Sequence, residues 1–198
     1  AILYNDILPT AELTTDNYVN VATYFNQNVD AGTIRDSDTD IENANFQVHR
    51  LREQAKFGLT EVIPNNDPAA AGTEVEAELY FYKGWSHLMA AELFVALPAE
   101  PQGPAVSPAA HYDSARVAFE TANSIAADIS YDAALARVHY GLGNQTEAVQ
   151  YAEAVLDADE EFVRFVEYDG VNGPTNTMES ALYDRGSFDD LQPLPRLD

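Results

Sequence analysis

Cysteine is absent from the 198 residues. Its absence excludes disulfides, thiolate metal sites and cysteine nucleophiles together. Lysine is nearly absent too, occurring only at Lys56 and Lys83. Ten basic residues face 33 acidic ones, a formal net charge of −23. Such a chain repels phosphates and has no basic patch, so nucleic acid is not an expected partner. Close approach to an anionic membrane is disfavoured on the same ground. No apolar run approaches the roughly 18 residues of a membrane span. The opening "AILYNDILPT" lacks the basic residues and sustained apolar segment of a signal peptide.

What is present is a foldable composition. Hydrophobic residues make up 46% of the chain, enough to build a core. The middle is periodic at three- and four-residue steps. Ile41, Ala44, Val48, Leu51 and Ala55 mark a helix over Thr39–Phe57. "TEVIPNNDPAAAG" breaks it with two prolines. A long helix follows over Thr73–Val95, with a stripe of Ala77, Tyr80, Phe81, Gly84, Leu88, Ala91 and Val95. Tyr82, Trp85, Met89 and Leu93 make a second apolar side, as expected of a buried helix. Gly84 costs about 1 kcal/mol against alanine in mid-helix, which is offset where a neighbouring helix comes close. "LPAEPQGPAVSPAAHYD" reads as a proline-rich loop. Further helices are expected over Asp113–Asp128, Tyr131–Leu142 and Thr146–Asp157, with Gly143 and Asn144 turning between the last two.

The third and fifth of these helices match at a constant offset. Ala115 aligns with Ala148, Ala118 with Tyr151, Phe119 with Ala152 and Ala122 with Val155. Tetratricopeptide units repeat at about 34 residues. The spacing therefore predicts an all-α fold of tetratricopeptide-like helical hairpins with irregular flanking loops. Thr73–Val95 pairs with Asp113–Asp128, and Tyr131–Leu142 with Thr146–Asp157. Near the N-terminus, "DNYVNVATYFNQ" suits a helix through Tyr18, Val21, Ala22 and Phe25. From Asp169 onward the chain reads as ordered loop, and it ends without a cap, as a piece of a longer chain would.

The order of these elements resembles the SusD/RagB-like family. "AELYFYKGWSHLMAAELFVALP" is similar to the family's long aromatic repeat helix, with Phe94 and Pro98 at its closing turn. "AALARVHYGLGNQTEAVQYAEAVL" resembles the helix and alanine-rich partner that follow. "FVRFVEYDGVNGPTNTMES" resembles the stretch that leaves the repeats, and "YNDILPTAEL" is weakly similar near the start. The family's glycine-aspartate turn is missing after Phe94, as are its lipid-bearing N-terminal cysteine and its full length. The resemblance implies one SusD-like domain, or a fragment of one. Its N-terminal arm would cover 1–38, its helical core 39–158 and its C-terminal loop segment 159–198. It implies a lipid-anchored protein on the extracellular face of an outer membrane. There it would capture a glycan or peptide for a TonB-dependent transporter barrel, without catalysis and without a cofactor. A generic tetratricopeptide-type adaptor for protein–protein interaction is the competing reading.

Asp36, Asp38 and Asp40 imitate the opening of a calcium loop. The glycine and glutamate that loop requires at its sixth and twelfth positions are Ile41 and Gln47 here. A solvated acidic turn, with Asp40 capping the next helix, is the expectation. His49, His87, His111 and His139 form no close ligand pair. His49, His87 and His139 are expected as partly exposed helical residues. No serine lies in a nucleophile-elbow context, and no sequence feature singles out a pair of carboxylates for glycoside cleavage. Trp85, the sole tryptophan, is expected in the core. The candidate ligand-binding residues are Tyr24, for stacking, and Arg35, for hydrogen bonding.

The charge carries a consequence for stability. Acidic self-repulsion opposes the compact state, and molar salt shortens the screening length to about 3 Å. Salt-adapted surroundings are therefore expected. The midpoint of thermal unfolding should rise between low and molar sodium chloride. An equal or lower midpoint at high salt would contradict the halophilic reading.

Overall fold

A computed structural model describes residues 7, 10–15, 18–20, 27–35, 37–165 and 191–193. The fold is all-α in its main body. In chain order its elements are β1 (Tyr18–Asn20), α1 (Gln27–Asp30), α2 (Thr39–Phe57), α3 (Glu74–Leu93), β2 (Leu97–Pro98), β3 (Ala105–Val106), α4 (Pro108–Ile125), α5 (Ile129–Gly141), α6 (Gln145–Ala158) and β4 (Leu191–Pro193). The chain divides into two compact units. One comprises 1–47 with 165–198, and the other Val48–Arg164.

In the first unit, β1 pairs antiparallel with β4, placing Tyr18 opposite Pro193 and Asn20 opposite Leu191. The helix expected through Tyr18 is therefore corrected, because Tyr18–Asn20 is a strand. Its backbone finds a partner far along the chain, in a segment expected to be loop. Val21, Ala22 and Phe25 lie outside the described residues. Leu13 and Val29 form a small buried cluster, with Tyr18 and Ile41 packed against it. Asp38 receives Asn28 Nδ2 at 2.9 Å and Arg35 N–H at 2.8 Å on its two carboxylate oxygens. Its carbonyl accepts the Glu42 N–H at 3.0 Å, the first bond of α2. The residue at the start of α2 is thus Asp38, not Asp40, which lies one position inside the helix.

In the second unit the helices pack in sequence: α3 on α4, α4 on α5, α5 on α6. Each has a local reason to begin where it does. The Thr73 hydroxyl accepts the Val75 N–H at 3.3 Å, with Glu74 and Glu76 in the first turn. Pro108 occupies the first turn of α4, where no donor is needed, and Ser107 caps it. Hence α4 starts five residues before the expected Asp113. The remaining proline-rich loop closes as a short hairpin, Leu97 opposite Val106, with Gln102 at φ 59° in its turn. Asp128 caps α5 through the Ser130 N–H at 2.7 Å. Gly143 adopts φ 77°, as its place between α5 and α6 requires. The two prolines after α2 do not break it at once. The helix runs on through a π-turn at Gly58–Val62 and a further turn at Ile63–Asn65.

The core of this unit lies between α3, α4 and α5. Ala77, Leu88, Ala115, Phe119, Ala122 and Val138 are essentially inaccessible. Asn123, near the end of α4, donates to Asp132, near the start of α5, at 2.8 Å. Gly141, ending α5, lies against Tyr112 in the second turn of α4. Both contacts require α4 and α5 to run antiparallel. The expected stripe of α3 is buried at Ala77, Phe81, Gly84, Leu88 and Ala91. Tyr80 is only half-buried, and Val95, past the end of α3 at Leu93, points into solvent. The second side of α3 is only partly covered: Met89 is buried, but Tyr82 and Leu93 are exposed.

Candidate functional site

Of the two residues expected to bind ligand, Tyr24 lies outside the described residues. Arg35 is exposed in the turn before α2, its backbone N–H held by Asp38. Two other constellations emerge in the Val48–Arg164 unit. Among the described residues, no group of three His, Cys, Asp or Glu is arranged to hold a metal ion.

The first constellation is a buried polar chain. His87, His111 and His139 are all buried, so the expectation that His87 and His139 are partly exposed is corrected. His139 stacks on Tyr151 at 5.4 Å, which removes it from solvent. His87, on the inner side of α3, lies 3.0 Å from His111 through their Nδ1 atoms. His111 Nε2 lies 2.9 Å from the Leu97 carbonyl. Arg52, 1% exposed, reaches His49 Nδ1 at 3.1 Å and His87 Nδ1 at 3.4 Å. Its Nε has no hydrogen-bond partner among the described residues.

Proton counting assigns the tautomers. The Leu97 carbonyl can only accept, so His111 carries its proton on Nε2. Neutral His111 then offers a bare Nδ1, which must accept from His87. His87 therefore carries its proton on Nδ1 and cannot also accept there from Arg52. The shorter of the two contacts, 3.0 against 3.4 Å, agrees. Burial, followed by Arg52 and His111, pushes His87 down to about 3. Burial also lowers His111 and, together with Arg52, His49. The guanidinium of Arg52 is itself lowered by burial, with Glu100 and Glu53 opposing. Glu100 is tied to Lys56 at 2.6 Å. The His87–His111–Leu97 bonds fasten α3 to α4 and the hairpin, and Lys56–Glu100 ties α2 to the hairpin.

The second constellation lies at the edge of the core, where the buried stripe of α3 meets α5. Phe81 sits at its centre, with ring centroids 5.6 Å from Trp85, 5.5 Å from Phe119, 5.3 Å from Tyr131 and 5.7 Å from Tyr82. Trp85 is half-buried, and its indole nitrogen is sheltered without a hydrogen-bond partner among the described residues. Arg137 of α5 lies 5.7 Å from the Trp85 ring and makes a two-bond fork to Glu92 at 2.6 and 2.5 Å. The indole belongs to the core on one side and to this surface on the other. Arg164 lies 4.2 Å above the Phe81 ring and donates to Ser130 Oγ at 2.6 Å. Sequence reasoning missed Glu78, Ser130, Arg137 and Arg164. The available signal was Arg164 itself, a rare cation set between aromatics in "FVRF".

Compared with family models, curated proteins and solved structures, the chain gives no match.

The histidine chain makes stability sensitive to acid. Above about pH 6.5 His87 is neutral both folded and unfolded. As pH falls from 6.5 towards 3, the unfolded residue takes up a proton that the folded one refuses. The stability linked to His87 is thus full above 6.5 and is lost at up to about 1.4 kcal/mol per pH unit below it. H87N keeps a donor near the same position and does not titrate. The stability advantage of wild type over H87N should shrink as pH drops from 6.5 to 4.5 in denaturant melts. A constant difference would contradict the assignment.

Proposed function

We propose that the chain is a non-catalytic capture subunit that works with a TonB-dependent outer-membrane transporter. It would hold a glycan or peptide nutrient on the extracellular face, lipid-anchored in the full-length protein. The observation that carries this reading is the unbroken packing of α3 on α4, α4 on α5 and α5 on α6. We read these as two tetratricopeptide-like hairpins in the order that the SusD/RagB-like resemblance implies. Stacked helices give a rigid face for docking, while irregular flanking segments vary freely to meet a ligand. The docking face belongs to α3–α6. The ligand side belongs to the flanks that carry Tyr24 and Arg35.

The buried chemistry supports a role without catalysis. His87, which burial pushes down to about 3, is 5% exposed and is enclosed by Arg52, His111 and its own helix. A general base must reach its substrate within hydrogen-bond distance, and this side chain is turned to the core.

Purification from native membranes tests the proposal. A β-barrel transporter recovered in a one-to-one complex is the expected result. A soluble complex without a barrel would overturn the proposal in favour of a generic adaptor.

A further inference from the structure

The aromatic edge of the core ends in an unusual occupant. Past α6 the chain turns at Asp159, which accepts the Glu161 N–H on its side chain and the Phe162 N–H on its carbonyl. Among the described residues, no backbone hydrogen bond then ties Val163 or Arg164. Val163 is exposed. The segment is fastened by the side chain of Arg164. Its guanidinium carbon lies over Phe81, 4.2 Å from the ring centroid, and the group bonds Ser130 Oγ at 2.6 Å and approaches Glu78 at 3.8 Å.

The receiving groups are prepared without it. Ser130 is buried and donates its hydroxyl hydrogen to Asp128, leaving an oxygen lone pair turned to the guanidinium. The carboxylate of Glu78 accepts from the Tyr82 hydroxyl at 3.1 Å, which fixes it at the rim. Phe81 is locked by four neighbouring rings. The acidic groups around Tyr131 are Asp128, Glu78 and Glu74. A ring face, a fixed hydroxyl oxygen and carboxylates at the edge suit a flat, weakly hydrated cation that stacks and donates several bonds. An ammonium, compact and strongly hydrated, matches only the carboxylate.

We infer that Phe81, Glu78 and Ser130 form a receptor for a guanidinium group, filled by the chain's own Arg164 and open by exchange to an arginine of a partner peptide. The chain's net charge of −23 draws such a basic segment in. Arg164 acts as a tethered competitor, and its release frees the exposed segment after α6. The inference does not depend on the transporter reading.

The sole tryptophan supplies the readout, since Trp85 stacks on Phe81. Wild type and R164A are titrated with acetyl-Gly-Arg-Gly-amide, and with the same peptide carrying citrulline or lysine. R164A should give a saturable fluorescence change with the arginine peptide, at least about tenfold tighter than with citrulline. Wild type should need about tenfold more arginine peptide, since a tethered group competes at roughly millimolar effective concentration. E78Q added to R164A should weaken the arginine response. Equal responses to arginine and citrulline would overturn the inference, as would indistinguishable titrations of wild type and R164A. Should R164A not fold, wild type at high peptide concentration decides: a preference for arginine over citrulline supports the receptor, and none overturns it.

Discussion

The helical unit depends on one close approach, that of α3 to α4 at Gly84. A Cβ at that position would fall 2.7 Å from Phe119 Cε1, closer than carbon atoms tolerate. Glycine lowers the intrinsic stability of α3 by about 1 kcal/mol. In return the Phe119 ring lies directly on the α3 backbone and is wholly buried. Everything on either side of α3 takes its position from this contact. Inward, His87 reaches His111 on α4. Towards α5, Phe81 stacks among Trp85, Tyr131 and Phe119, and carries Arg164 on its face.

A helix with polar work on one side and aromatic work on the other explains why α3 has no simple polar face. The inner polar chain is neutral at its histidines and positively charged at Arg52, which has no carboxylate in direct contact among the described residues. A charge buried in that way is costly unless its hydrogen bonds are met. Its bond to His49 and the nearby Glu100 and Glu53 offset part of that cost. The Lys56–Glu100 ion pair ties α2 to the hairpin by a directional contact rather than by apolar area alone. The aromatic edge uses arginine differently. Arg137 and Arg164 lie over aromatic rings and meet oxygens at the rim, where a guanidinium keeps its charge and still covers apolar carbon.

The sequence makes the helices legible because their apolar spacing is regular. Ala44, Val48 and Ala55 on α2, and Ala115, Phe119 and Ala122 on α4, lie buried where the period puts them. The Gly84 reading also follows from sequence, since a glycine in mid-helix has few other uses. Elsewhere the deciding partners are remote. Tyr18 is a strand residue because Pro193 lies across from it, a pairing that no local pattern announces. The start of α4 at Pro108 depends on a cap by Ser107 inside what reads as a proline-rich loop. The histidine chain is invisible because His49, His87 and His111 come from three helices, and each alone is an ordinary polar residue. The same holds for Arg164, 34 positions from Ser130. Tyr24 and Arg35 drew attention as isolated aromatic and basic residues, a signal weaker than a constellation.

A double-mutant cycle across Gly84 and Phe119, followed by denaturant unfolding, tests the central contact most directly. Ala in place of Gly84 overpacks the interface, a change that typically costs about 1–3 kcal/mol, against a gain in helix propensity of about 1 kcal/mol. G84A should therefore lose stability, and F119L should relieve part of that loss, so that the two changes combine to less than their sum. A gain of about 1 kcal/mol from G84A, as in an exposed helix, with simple additivity to F119L, would contradict the account.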